Sequence, residues 1–243
     1  MTSDTSTTGA TTTDSGERPF DAVVFDYGGV FSASPHEGMA RGDEVLGLPP
    51  GTLVELLGFG FDAPEPEPGE PYTNGWQRLE VDEITIDEYG EWVASRSVEI
   101  VGRPLTLAEA FAAGFGGGMG VFWPMVHQAM HLKQAGYRLA ICTNNAVAFR
   151  EGWKAQVPID LFDVIVDSSE VRLRKPDPRI YELVCAALDV PLERAVFIDD
   201  HPRNVAAAAA LGMRAIHVTD PMTALAELQE ATAVGFGAGW QAG

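Results

Sequence analysis

The chain has 243 residues and is short of cysteine, of positive charge and of long apolar runs. Its two cysteines, Cys142 and Cys185, stand far apart in the sequence, which gives neither a disulfide framework nor a zinc-ligand spacing. So few thiols suit a reducing compartment, and the expected location is the cytoplasm. Lysine and arginine total 16 against 35 aspartates and glutamates, so 16 minus 35 gives a formal net charge of −19. A surface this acidic repels nucleic acid and anionic lipid, and neither is expected as a partner. No apolar run approaches the roughly 20 residues that cross a bilayer, and the first residues lack the basic-then-apolar order of a signal peptide. Set against these shortages, 46% of the residues are hydrophobic and 9% aromatic, enough for a packed core.

Residues 1–18, with ten Ser or Thr in the first 15 positions, read as a disordered tail, and 235–243 as a flexible C-terminal one. Between them, Ala22 to Phe25 form an apolar run that ends at Asp26 and the glycines Gly28 and Gly29, the pattern of a buried strand running into a sharp loop. The second half alternates short apolar runs with helical patterns. Arg138–Cys142, Val164–Val166, Ala195–Ile198 and Ala215–Val218 read as strands. Ile180, Leu183, Val184, Ala187 and Leu188 share one helical face behind Pro178, and Val205 to Leu211 form a second helix between Pro202 and Gly212. Such alternation predicts an α/β fold, a parallel sheet with right-handed crossovers and helices on both faces. Residues 32–120 break it, with helical patterns, a Pro/Glu-rich loop (64–71) and a Gly-rich return (114–120). They are expected to form a small helical cap inserted into a Rossmann-like core of 19–31 and 121–234, either mobile or a rigid decoration of the sheet.

Parallel sheets bind ligands at the carboxyl ends of their strands. Here the first strand is followed by Asp26, the second by Thr143, Asn144 and Asn145, and the fourth by Asp199 and Asp200, with Arg174 and Lys175 in the loop after the third. One Asp at a strand end is ordinarily a turn or cap residue, but this whole set at one edge has a chemical meaning. A carboxylate can attack phosphorus only where the phosphate charge is neutralised and the two anions are held together, which a divalent cation accomplishes. Asp26 can serve as nucleophile and ligand, Asp200 as a second ligand, and Asp199 as a further ligand or a support behind it. Lys175 offsets negative charge, while Thr143 and the amide of Asn144 hold phosphate oxygens. Mg2+ suits such hard oxygen donors.

The segments VVFDYGGVF, AICTNN, RKPDPRIYE and VFIDDHPRNV resemble the four ordered motifs of the haloacid dehalogenase superfamily of phosphohydrolases. Residues 79–92 are similar, less specifically, to the helical cap of the branch that holds the epoxide hydrolase N-terminal phosphatase and certain sugar-1-phosphate phosphatases. The resemblance implies a Rossmann-like core, an aspartyl-phosphate intermediate and a Mg2+ cofactor. By motif it makes Asp26 the nucleophile, Lys175 its partner, Thr143 and Asn144 phosphate ligands, and Asp26, the Gly28 carbonyl, Asp199 and Asp200 the metal set. The expected activity is Mg2+-dependent hydrolysis of a small phosphorylated metabolite by a monomer or homodimer.

Two positions depart from the family pattern. Gly28 stands where most of its phosphatases carry an acid–base Asp, and it cannot move a proton. Arg172 stands where related sequences tend to place a glycine, three positions before the motif lysine, which could alter the loop or add a phosphate contact. The alternatives are a catalytically retired phosphate-binding protein and a metal-free haloacid dehalogenase, although Tyr27 lies one place before the dehalogenase tyrosine. A phosphorylation-receiver module would order the acidic groups differently. His127 and His131 have metal-capable spacing but no acidic partner in HQAMH, and read as surface or packing residues. Cys142 reads as core. Residues 32–120 hold 16 acidic and 4 basic positions, so a polyanionic substrate is disfavoured. Trp76, Trp92, Phe59 and Phe61 read as the interior of the cap, with an apolar pocket as the other reading.

Overall fold

The computed structural model describes residues 18–60, 64–66 and 70–235. The two expected tails, apart from Arg18 and Gly235, Phe61 and part of the Pro/Glu-rich loop lie outside these residues. Five parallel strands form one sheet: β1 (Ala22–Phe25), β2 (Arg138–Thr143), β3 (Val164–Asp167), β4 (Ala195–Asp199) and β5 (Arg214–His217), in the order β3-β2-β1-β4-β5. Val24 pairs with Ala140 on one side and Phe197 on the other. The expected strands are all present, the last one residue earlier than its apolar run suggests.

The chain leaves β1 into five helices: α1 (Pro35–Leu46), α2 (Thr52–Leu57), α3 (Gly75–Glu80), α4 (Ile86–Val101) and α5 (Leu107–Phe115). It returns through α6 (Trp123–Gln134) to β2, and continues through α7 (Arg150–Lys154), α8 (Ser168–Val171), α9 (Pro178–Leu188), α10 (Pro202–Ala210) and α11 (Pro221–Thr232). Proline occupies the first turn of α1, α6, α9, α10 and α11, where its missing N–H is not needed. The order T-x-x-E starts both α4 and α5, where Thr85 with Glu88 and Thr106 with Glu109 close reciprocal capping boxes.

Strand residues alternate between two cores. Phe25, Leu139, Ile141, Val196 and Ile198 face α6 and α11, while Val24, Ala140, Cys142 and Phe197 face α9 and α10. Both cysteines are buried and free in the second core. The insertion has its own interior of Met39, Leu53, Leu57, Tyr89, Val93 and Leu105. Its outgoing and returning helices, α1 and α5, cross closely enough that a Cβ on Gly42 would fall 3.1 Å from Gly114 N and one on Gly114 2.4 Å from Met39. Strand order reverses between β1 and β4, the switch point where a parallel sheet opens a crevice.

Candidate active site

That crevice receives the loops after β1, β2, β3 and β4. Asp26 comes directly after β1, its N–H bonded to Ile198 O at 2.9 Å, so the ladder itself fixes the residue beside β4. Asp199 ends β4, and Asp200 is the next residue. One carboxylate oxygen from each of Asp26, Asp199 and Asp200 lies within 4.8 Å of the others, the one such set of metal-capable side chains among the described residues. His127 and His131 belong to no such set.

Lys175 is fully buried, with Nζ 2.6 Å from Asp199 Oδ2 and 2.9 Å from Asp26 Oδ1. The contact with Asp26 is an ion pair off the line of a hydrogen bond, and Asp26 Oδ1 has no hydrogen-bond donor. Asp199 is fully satisfied. Its Oδ1 accepts from the N–H of His201 at 2.7 Å, Asn204 Nδ2 bridges both oxygens at 3.1 Å, and Lys175 takes Oδ2. Ser34 Oγ donates to Asp200 Oδ2 at 2.7 Å. Gly29 holds φ +68°, and a Cβ there would fall 2.2 Å from the same oxygen, so only glycine lets the loop close over Asp200.

Burial pushes Asp26 up to about 6, against the pull of Lys175, and pushes Asp200 up to about 7 with the Asp199 and Asp26 charges adding to it. Burial pulls Lys175 down, but Asp199 and Asp26 outweigh it and hold the ammonium above its ordinary range. Three carboxylates face one lysine, and the excess negative charge at a site of oxygen donors fits a hard divalent cation. The residues therefore suit Mg2+.

Thr143 ends β2, buried, and Asn144 lies just beyond it. The side chain of Asn144 does something the sequence did not suggest: Oδ1 accepts from Lys175 N at 2.8 Å and Nδ2 donates to Lys175 O at 2.9 Å. This reciprocal pair fixes the lysine loop and leaves the Asn144 backbone N–H for a ligand. Arg172 adopts the left-handed conformation, φ 56°, that glycine takes most easily. The loop keeps the shape a glycine would give it, and the Arg172 side chain reaches Asp82 of the insertion at 3.3 Å.

A cavity of about 130 Å³ sits over these groups, bordered by Asp26, Gly28, Thr143, Asn144, Lys175 and Asp200. The insertion closes it through a buried network that sequence reasoning missed. Arg174 Nε donates to Glu80 at 2.8 Å and its Nη1 to Glu65 at 2.5 Å, while Ser168 Oγ donates to the Glu80 carbonyl at 2.6 Å. Burial raises Glu80, with Arg174 opposing. His201 borders the same cavity and is lowered to about 4 by burial and by Arg174. Asn204 was missed too, although its place one helical turn after the acidic pair is a readable signal. Ser34 sits at an N-cap position but bonds Asp200 in place of its helix.

Comparison with known proteins agrees with this geometry. A family model described as haloacid dehalogenase-like hydrolase matches residues 65–212. The chain is 32% identical over 221 residues to acyl-CoA dehydrogenase family member 10 of Mus musculus and 31% identical over 227 residues to bifunctional epoxide hydrolase 2 of Sus scrofa. These matches cover 89% and 88% of the chain but only 20% and 39% of those longer proteins. Phosphoglycolate phosphatase of Cereibacter sphaeroides is 29% identical over 197 residues, covering 79% of this chain and 82% of that one. In structure, an enzyme of the family from Bacteroides thetaiotaomicron, solved with magnesium and inorganic phosphate, superposes with a TM-score of 0.56 at 16% identity over 82% of this chain and 93% of that one.

Proposed function

The chain belongs to the haloacid dehalogenase-like hydrolases, and on that premise we propose that it hydrolyses a phosphomonoester through a phospho-Asp26 intermediate. The observation that carries this reading is the buried Lys175 between Asp26 and Asp199, with Asp200 completing a cluster whose negative charge exceeds its positive. Asp26, Asp200 and the Gly28 carbonyl would hold Mg2+, with Asp199 behind them. When bound, the ion neutralises the carboxylates and the phosphate so that two anions can meet.

The chain's own groups divide the remaining work. Thr143 Oγ1 and the Asn144 N–H bind phosphate oxygens, and Lys175 holds the attacking carboxylate in place. Asp26 forms a bond to phosphorus as the ester oxygen leaves with the bonding pair, and water then cleaves the acyl phosphate, returning Asp26 and releasing phosphate. Asn204 and the His201 N–H hold Asp199 in place behind Lys175. Gly28 offers no proton to the departing oxygen. Halide displacement needs no such cation, and Tyr27, packed on Trp153 with ring centroids 4.9 Å apart, does not border the cavity over Asp26. Assay of the purified protein with aryl phosphate, with chelator and after Mg2+ addition, tests the proposal: activity should vanish and return. Full activity after exhaustive chelation would refute it.

A further inference from the structure

The phosphate cavity opens onto a second, larger one. Its volume is about 450 Å³, within the range of small-molecule sites, and it shares Gly28, Pro35, Phe59, Trp76, Thr143 and Asn144 with the first. The two differ completely in chemistry. Asp26, Glu65, Glu80, Arg174, Lys175 and Asp200 border the phosphate cavity, whereas no charged side chain borders the second among the described residues.

The walls of the second cavity come from both parts of the fold. Tyr27, Phe149 and Trp153 belong to the core, and Phe111 and Phe115 to α5 of the insertion. Ring contacts join the two sides: Phe111 meets Phe149 edge to face at 5.5 Å, and Trp76 stacks on Phe149 at 6.4 Å. Of the aromatics read from the sequence as insertion interior, Phe59 and Trp76 border both cavities, while Trp92 stacks on Tyr89 away from them.

We infer that this second cavity receives the organic body of the substrate, and that the substrate is the monophosphate of a bulky apolar alcohol. The inference rests on the phosphatase reading of the adjoining site. A half-open space bordered by Thr143 and Asn144 lies where the ester's carbon side must go once its phosphate is bound. A sugar or hydroxy-acid body there would lose its hydration to aromatic walls with few partners, while each buried methylene gains about 0.8 kcal/mol, roughly fourfold in affinity. On this inference the substrate is bulkier than the small phosphorylated metabolite expected from the sequence.

Gly152 on α7 gives a direct probe. It borders the cavity, its φ is not positive, and a Cβ added there meets nothing within 4 Å, so Gly152→Leu should fold and reduce the free volume. The experiment measures kcat/KM in Mg2+ for a series of linear alkyl monophosphates alongside glucose 6-phosphate, a primary ester with a comparable leaving group, and measures binding of the matching alkylphosphonates by calorimetry. Wild-type kcat/KM should rise about three- to fourfold per methylene until the cavity fills, with phosphonate affinity rising in parallel. Gly152→Leu should move the break to shorter chains, its melting temperature confirming the fold. Turnover with no dependence on chain length, or preference for glucose 6-phosphate over the longer alkyl esters, would overturn the apolar assignment while leaving the phosphatase reading intact. Phosphonate affinity that climbs with chain length, with no ester turned over, would support the cavity assignment and refute the phosphatase reading.

Discussion

Asp200→Asn should stabilise the metal-free protein at pH 5 and stabilise it much more at pH 8. Burial and the neighbouring Asp199 and Asp26 raise the Asp200 carboxyl from 3.8 to about 7. Between those values the folded chain holds a proton that the unfolded chain has released, so stability falls as pH rises. Integrated from pH 5 to pH 8, this one group withdraws about 2.5 kcal/mol. At pH 5 folded Asp200 is neutral and an Asn matches it in shape, but the unfolded wild type has already released its proton, which Asn cannot do; at pH 8 the folded wild type carries the buried charge as well. His201, lowered to about 4, adds stability with rising pH, so the wild type alone would mix opposing effects. Subtracting the variant's curve removes the histidine contribution. The assay is urea unfolding followed by circular dichroism in chelator at pH 5, 6, 7 and 8. The wild-type minus variant difference should grow more negative by about 2.5 kcal/mol across the series, and Mg2+ at pH 8 should stabilise wild type more than variant. A difference that stays flat, or a variant less stable at pH 8, would refute the electrostatic account of the cluster.

Asp26→Asn should abolish turnover with the fold retained, checked by activity and thermal melting. Asn144→Ala removes both bonds to the Lys175 backbone and should cost about 1–3 kcal/mol in urea unfolding, with kcat falling as the lysine loop loosens. Arg172→Gly should be stabilising by up to about 1 kcal/mol, since it relieves a left-handed backbone and gives up only an exposed ion pair. Because Gly28 supplies no acid, single-turnover rates should depend steeply on leaving-group pKa, with alkyl esters slowed by about 10² to 10⁴ relative to an enzyme that has one. Gly28→Asp has room, since its Cβ would meet Pro35 at an ordinary 3.5 Å, and should flatten that dependence.

The sheet was legible because each strand is a short apolar run with a chemically distinctive residue at its carboxyl end. Asp26, Thr143 and the Asp199–Asp200 pair stand at or just past the ends of those runs, with Lys175 in the loop that follows the third, and topology then brings them to one crevice. Less visible was anything that depends on a side chain turning back on its own loop. Asn144 carries a ligand-like amide that the fold spends on Lys175, and Ser34, at the N-cap position of α1, reaches Asp200. The Arg174 network joins residues more than 90 positions apart, and charge patterns along the chain hold no signal of such pairing. Aromatic spacing likewise could not separate interior from cavity wall. Phe59, Trp76 and Trp92 have equal claims in sequence, and only the folded packing shows that Phe59 and Trp76 border open space while Trp92 stacks on Tyr89.

The most direct test of the account is covalent. Enzyme and excess aryl phosphate are mixed in Mg2+, quenched in acid within milliseconds, treated with borohydride and digested. The reading predicts that the peptide spanning residues 22–31 carries a side chain reduced to an alcohol at Asp26, in proportion to a burst of released phenol. Phenol released with that peptide unmodified throughout the burst would show that the ester is cleaved without a bond to Asp26, and would contradict the mechanism.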